Sequence, residues 1–203
     1  MRLTERDYLI LNEVFRWRFL LGRHIQALCG FEGIRTCDRR LKLLIEAGYL
    51  DRHKIFYGVP YLYTLTHKGK VLLGVSKKST ILKVDQIPHD ILVADTAVFL
   101  VEEKTLSLDD VFTEKELHQQ DGFSNRKHCP DFVFISGGKS ICVEVELSHK
   151  SKKRFLANLK SNYMKYDGQL WILPRKEQRN RLLIEKSGFT GIEIIDKEVI
   201  EHG

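Results

Sequence analysis

RRLKLLIEAGYLDRHK (residues 39–54) and YLYTLTHKGKVLL (residues 61–73) decide the fold of the first part of this chain. The first stretch predicts a helix that stops at Gly48, because glycine readily adopts the left-handed conformation that ends helices, followed by a strand. The second stretch predicts a strand and then a short helix capped by Thr66. The alternation in residues 61–65 indicates that strands 49–56 and 61–65 form a hairpin with one buried face and residues 57–60 in the turn.

Three helices are predicted upstream of this hairpin. The first begins after Thr4, which has Asp7 three residues later, as at many helix starts. The second covers residues 22–28, and the third covers residues 34–47. The third helix has an apolar stripe and, on its opposite side, a cationic stripe with polar neighbours. The apolar stripe consists of Ile34, Cys37, Leu41, Leu44 and Ile45. The cationic stripe consists of Arg35, Arg39 and Lys42, and its polar neighbours are Thr36 and Arg40.

Together these elements predict a winged helix-turn-helix domain in residues 1–75 that binds double-stranded DNA. A helix that is cationic on its free side suits the major groove, where arginine can pair with guanine and lysine can neutralise phosphate. Arg52, His53 and Lys54 in the hairpin would meet phosphates or the minor groove. The alternative interpretation is that the basic side of the third helix is only solvated surface.

The distribution of charge favours the DNA-binding interpretation. The chain has 203 residues, a net charge of +6 and a hydrophobic fraction of 43%. Residues 1–80 contain 15 Lys/Arg and 7 Asp/Glu, whereas residues 81–203 contain 18 and 20. A cationic excess confined to one segment is typical of a surface that binds a polyanion. The N-terminus lacks the apolar stretch of a signal peptide and no run is long enough to span a membrane, so we expect a cytoplasmic protein without a membrane partner.

The second segment is predicted to be a mixed sheet flanked by helices. Residues 76–87 are interpreted as a linker, and residues 88–203 as the second domain. A helix near residues 89–103 precedes a strand near Val111, and a polar stretch, residues 119–127, follows. Two strands then form a hairpin through Gly137 and Gly138. A helix over residues 150–166, a strand over 169–173, a helix over 176–186 and a strand over 191–195 complete the domain. The expected fold class is α+β or α/β.

The hairpin of this second domain carries an acidic pattern with a possible chemical role. Asp131 follows a proline, and Glu144 and Glu146 lie two apart, so that alternation places both on one face of the sheet. Carboxylates on adjacent strands can hold Mg²⁺ or Mn²⁺, which would activate water for phosphodiester cleavage. These carboxylates match the acidic positions of the PD-(D/E)xK nuclease motif, and this resemblance implies that Asp131, Glu144 and Glu146 are metal ligands and catalytic residues.

The chain has Pro-Asp followed, after twelve further residues, by Glu-Val-Glu. With this motif and its order of helices and strands, the region of about residues 88–195 resembles the PD-(D/E)xK nuclease core. That resemblance implies a lysine where this chain has Glu146, and Lys150 or Lys153 from the following helix would have to replace it. A degenerate nuclease fold that serves in binding or assembly, with the Glu144–Glu146 strand face solvated, is the alternative that we favour. Loss of the fixed lysine would remove part of the stabilisation of the transition state.

The pattern quoted at the outset, joined to such a domain, resembles the replication-relaxation family of plasmids and other mobile elements. The resemblance implies a DNA-binding protein of a plasmid, conjugative element or phage that acts in replication, transfer or its control. Two alternatives stay open: a metal-dependent DNA endonuclease or nickase targeted by the winged helix, and a transcription regulator. The expected partners are double-stranded DNA and either a second copy of the chain or a replication or transfer protein.

Overall fold

The computed structural model of the protein describes residues 2–55, 57–58, 60–75, 82–121, 128–147 and 150–202. The chain divides into two compact units, Met1–Ala94 and Asp95–Gly203. The predicted linker lies partly outside the described residues, at 76–81, and its last residue, Ile87, already belongs to a helix. None of the described helices combines the length and the apolar character needed to cross a bilayer.

The first unit consists of helices around a small antiparallel sheet. The sheet has the strand order β1-β3-β2, and β2 and β3 form a hairpin. In chain order the elements are α1 (Glu5–Arg16), β1 (Leu20–Leu21), α2 (Gly22–Leu28), α3 (Ile34–Glu46), β2 (Leu50–His53), β3 (Leu62–Leu65) and α4 (His67–Leu72). The predicted hairpin strands are shortened to these bounds, and Phe56 and Val59 lie outside the described residues.

A network of backbone and side-chain contacts fixes the corner between α3, the hairpin and α4. Gly48 has a φ of +76°, and the amide of Tyr49 donates to the carbonyl of Leu44, which ends α3. The hydroxyl of Thr66 donates to the carbonyl of Gly48 at 2.7 Å and accepts from the amide of Gly69 at 3.0 Å. A Cβ atom on Gly69 would lie 2.4 Å from the Tyr49 carbonyl oxygen, so this position requires glycine.

The core of the first unit corrects two of the expectations about buried faces. Strand β3 is buried at all four positions because helices α1 and α4 contact it and Leu62 packs with Phe19 and Leu21, so the expected hairpin with one buried face is wrong. In α3, Cys37, Leu41 and Leu44 are fully buried, but the side chain of Ile34 is 43% exposed and does not belong to the core. Trp17, at the end of α1, is half-buried and its indole donates to Glu13 at 3.2 Å.

The second unit contains a five-stranded sheet with helices. The strand order is β4-β5-β6-β7-β8, in which β5 is antiparallel to both of its neighbours, β4 and β6, while β6, β7 and β8 run parallel. Helix α5 (Ile87–Lys104) spans the division between the units. The elements that follow are a 3₁₀ turn (Leu108–Asp110), β4 (Val111–Thr113), α6 (Glu114–Asp121), β5 (Phe132–Ser136), β6 (Lys139–Val145), α7 (Lys152–Lys165), β7 (Gly168–Leu173), α8 (Gln178–Glu185), β8 (Ile192–Asp196) and α9 (Lys197–His202).

Local chemistry explains the turn and the core of this unit. Gly137 and Gly138 have φ values of +57° and +74°, as a two-residue hairpin between β5 and β6 requires. Trp171 on β7 is fully buried and its ring centre lies 4.8 Å from that of Phe155 on α7. The predicted mixed α+β fold class is confirmed. Of the polar stretch expected at 119–127, residues 119–121 form the exposed end of α6, while residues 122–127 are outside the described residues.

Candidate nucleic-acid interface and acidic cluster

Helix α3 presents most of its predicted DNA-contacting side chains to solvent. Arg35, Thr36, Arg39 and Lys42 are all exposed, while the opposite side of the helix is anchored in the core. Lys42 lies 3.8 Å from Glu46 one turn later, but both side chains are largely exposed, so this ion pair contributes little to stability. The exposed stripe therefore remains available to a polyanion.

Arg40 differs from its neighbours because it is bound to a buried carboxylate. Its guanidinium donates to both oxygens of Asp7, whose side chain is fully buried near the start of α1. The amide of Thr4 also donates to Asp7, at 2.6 Å. Burial raises the pKa of Asp7, but the hydrogen bonds from Arg40 and Thr4 outweigh it and hold the pKa below its usual value. The structure thus gives Arg40 a structural role that the sequence interpretation did not foresee.

The hairpin places its cations beside tyrosine rings. The guanidinium carbon of Arg52 lies 4.8 Å over the ring centre of Tyr61, and the ammonium of Lys54 lies 5.9 Å from the ring centres of Tyr57 and Tyr61. Both cationic side chains are exposed. His53 is half-buried, and its Nε2 lies 2.9 Å from the hydroxyl of Thr64 on the neighbouring strand. Arg52 and Lys54 can therefore reach a ligand, whereas His53 spans the hairpin.

In the second unit, Asp131 lies directly before β5 and joins this strand to its neighbour. Its carboxylate accepts a hydrogen bond from the amide of Val145 at 2.7 Å, and its own amide donates to the carbonyl of Val143 at 3.1 Å. These bonds hold the carboxylate of Asp131 against the end of β6. Asp131 is near enough to Glu144 to affect its ionisation.

Glu144 is the most deeply enclosed carboxylate of this cluster. It is 3% exposed, and its Oε1 contacts Nε2 of His128 and accepts from the side-chain amide of Asn162 at 2.9 Å. Burial raises the pKa of Glu144 above its usual value; the contact with His128 opposes this rise, and the negative charge of Asp131 adds to it. The expected solvated strand face is therefore wrong at this position.

Glu146 is also buried, at 3% exposure, and pairs with a lysine. The amide of Glu146 donates to the carbonyl of Ile172 at 3.0 Å, so the sheet pairing and its alternation continue past β6. Lys150 Nζ lies 2.7 Å from Glu146 Oε2. Lys153 lies on the first turn of α7 and is exposed. Of the two lysines predicted to replace the missing one, Lys150 is the one that contacts the acidic cluster.

The arrangement of the three carboxylates does not fit a metal ion. Within the described parts of the chain, no group of three His, Cys, Asp or Glu side chains is placed to hold one. Asp131 binds a backbone amide, Glu144 binds His128 and an amide, and Glu146 binds Lys150. The Mg²⁺ or Mn²⁺ expected from the sequence would have to displace these partners, and we derive no chemical step from a metal.

The sequence interpretation missed three residues that complete these two sites. Asp7 was assigned to the start of α1 alone, although a carboxylate one turn inside a helix can also bind a distant arginine. Neither His128 nor Asn162 was among the candidate site residues. One signal could have identified Asn162: it lies on the inner face of α7, an otherwise basic helix, and it is buried. Because buried polar side chains nearly always have a hydrogen-bond partner, a polar partner nearby was to be expected.

Comparison with known proteins gives one result. A sequence profile described as replication-relaxation matches residues 11–170. No curated protein matches the chain. No solved structure matches it either. The profile covers most of both units, including α3, the hairpin and the acidic cluster, and it supports a role in the replication or relaxation of mobile elements. The chain therefore belongs to the replication-relaxation family.

Proposed function

We propose that the protein binds double-stranded DNA through its first unit during the replication of a mobile element or its control. The observation that carries the proposal is the exposed stripe Arg35, Thr36, Arg39 and Lys42 on a helix whose opposite side is buried. Such a helix can enter the major groove without losing core contacts. The first unit then acts as a winged helix-turn-helix, with the β2–β3 hairpin as the wing.

Two further contacts support this use of α3. The ion pair between Arg40 and Asp7 ties α3 to α1, which fixes the direction in which the stripe faces. The contacts of Thr66 and Gly69 with the Gly48–Tyr49 corner fix the hairpin beside the end of α3. A pre-oriented set of donors loses less conformational entropy when it binds than a flexible set does.

We propose that the second unit is a nuclease-like fold with a binding or assembly role. Its strand order, with an antiparallel hairpin followed by parallel strands reached through α7 and α8, supports the nuclease-like assignment. The engagement of Asp131, Glu144 and Glu146 by protein groups favours this role over cleavage. The endonuclease alternative has less support, because all three carboxylates are bound by protein groups. The transcription-regulator alternative would use the same DNA-binding surface.

The test is a comparison of DNA affinities. A preferred duplex is first selected from a random-sequence pool with the wild-type protein. Dissociation constants are then measured by fluorescence anisotropy for the wild type, for Arg35→Ala/Arg39→Ala and for Lys176→Ala/Arg179→Ala. The control variant removes the same charge from exposed positions in the second unit. We expect the α3 variant to lose about 1–3 kcal/mol per arginine on the selected duplex.

The control variant should keep its affinity within a factor of about two, since neither residue belongs to the proposed interface and salt screens the interactions of distant exposed charges. Equal affinity of the wild type and a folded Arg35→Ala/Arg39→Ala variant for the selected duplex would show that the stripe does not read DNA. The melting temperature of each variant shows whether it is folded. Since Arg35 and Arg39 are both exposed, we expect their replacement to leave the melting temperature close to that of the wild type.

A further inference from the structure

The end of the β2–β3 hairpin carries a group of four side chains that we call the tip cluster: Arg52, Lys54, Tyr57 and Tyr61. Tyr57 is 99% exposed and Tyr61 is 40% exposed. Arg52 lies over the ring of Tyr61, and Lys54 lies at equal distance, 5.9 Å, from the rings of Tyr57 and Tyr61. The hairpin therefore ends in aromatic rings interleaved with cations.

The two rings of the tip cluster differ in what they can bind. One face of Tyr61 is occupied by the guanidinium of Arg52. Tyr57, by contrast, has almost its whole surface accessible, which is unusual for a large aromatic side chain. Its ring faces can accept a flat apolar partner, and the ammonium of Lys54 lies beside that surface to meet a negative charge.

We infer that the tip cluster binds an unpaired base of DNA, with the base stacked on Tyr57 and its phosphates contacted by Lys54 and Arg52. This inference rests on the proposed function and adds to it a preference for locally opened duplex. Stacking on tyrosine tolerates any base sequence, because every base has a π-face, and flanking cations follow the backbone.

Unpaired DNA is favoured over closed duplex for a physical reason. In a closed duplex each base is covered on both faces by its neighbours, so a ring can stack only after a base step has been opened at an energetic cost. An unpaired base offers its face without that cost. An apolar peptide is a poorer partner, since the two rings are separated and flanked by two cations rather than by further apolar surface.

The test uses the full chain and two labelled probes: a closed duplex, and the same duplex with a run of mismatched bases at its centre. We expect the wild type to bind the mismatched probe about 10-fold more tightly. Tyr57→Ala should abolish this preference, so that the two probes bind with similar affinity, while Tyr57→Phe should keep the preference because it keeps the ring. Tyr8→Ala, at a tyrosine of α1 that is 41% exposed, is the matched control.

The salt dependence separates the two kinds of contact. Lys54→Ala should flatten the dependence of affinity on salt by about one unit for both probes, and Tyr57→Ala should not change it. Equal binding of both probes by the wild type, or an unchanged preference in Tyr57→Ala, would overturn the inference. The proposed function would still stand if Arg35→Ala/Arg39→Ala weakens the binding of both probes. Failure of the wild type to bind either probe would overturn both proposals.

Discussion

Asp7 in the first unit and Glu144 in the second are both buried carboxylates, and their pKa values are shifted in opposite directions. The pKa of Asp7 is held below its usual value because the guanidinium of Arg40 and the Thr4 amide outweigh the effect of burial. The pKa of Glu144 is raised because burial and the charge of Asp131 outweigh the contacts with His128 and Asn162. Two carboxylates with almost no exposed surface thus have opposite preferences for the charged form.

The difference shows what each carboxylate does in the protein. A buried charge whose cation is bound to both of its oxygens is a stable structural link, and in the first unit it joins α1 to α3. The negative charge of a buried carboxylate near a second carboxylate is less well neutralised, and groups whose pKa is shifted in this way are common in binding and catalytic sites. The first prediction below tests the link, and the next two test the compensation.

The largest expected effect is that of breaking the ion pair in the first unit. Arg40→Ala leaves Asp7 buried without its cation, which should reduce the free energy of unfolding by about 3 kcal/mol. Arg39→Ala, one residue earlier and exposed, should change the free energy of unfolding by less than about 0.5 kcal/mol. Urea denaturation followed by circular dichroism measures both. Equal stability of the two variants would mean that the link between α1 and α3 is not structural.

A smaller effect, with opposite signs at the two sites, is expected from pH. The lowered pKa of Asp7 adds stability that is present above 3.8, its ordinary value, and is lost as the pH falls through the lowered pKa. The raised pKa of Glu144 adds stability that is present below 4.5, its ordinary value, and is lost as the pH rises through the raised pKa.

Two isosteric variants isolate these opposite contributions. The stability deficit of Asp7→Asn relative to the wild type should shrink on acidification below 3.8. Glu144→Gln should gain stability relative to the wild type as the pH rises, because it cannot acquire a buried charge. Glu193→Gln, at an exposed position of β8, is the matched control for the second variant. Parallel pH profiles for Asp7→Asn and Glu144→Gln would contradict the comparison.

The smallest expected effect is that of divalent metal. Because each carboxylate of the cluster already has a protein partner, millimolar Mg²⁺ or Mn²⁺ should leave the melting temperature unchanged and supercoiled plasmid uncut. A filled site at about 100 times its dissociation constant would instead add about 2.7 kcal/mol. A metal-induced shift that Asp131→Ala removes would show that the cluster rearranges to bind metal, and the endonuclease alternative would then regain support.

The elements that were predicted well from the sequence are those with a strong local pattern. Helices α2 and α3 were predicted within one residue, because apolar spacing and a glycine stop are local signals. Strand β1 has two residues and α6 is an eight-residue polar helix, so neither has a recognisable period. The burial of β3 on both faces depends on distant residues such as Phe19 and Leu21, which pack with Leu62 from more than forty residues away.

The sites were less predictable than the elements because their partners are distant in the chain. Arg35 and Arg39 were identified from the helical period alone, and they are exposed. Arg40 belongs to the same pattern, but its role depends on Asp7, 33 residues earlier. The partners of Glu144 are 16 and 18 residues away, beyond the reach of any local pattern.

The two tryptophans of the chain give each unit its own fluorescent reporter. Trp17 belongs to the first unit and is half-buried, whereas Trp171 belongs to the second and is fully enclosed. Emission from an enclosed indole lies at shorter wavelength than emission from a hydrated one, so the two signals differ in colour. Replacing either tryptophan by phenylalanine leaves a protein in which a single emission spectrum follows the unfolding of one unit only. The order in which the units unfold can thus be read without attaching any dye.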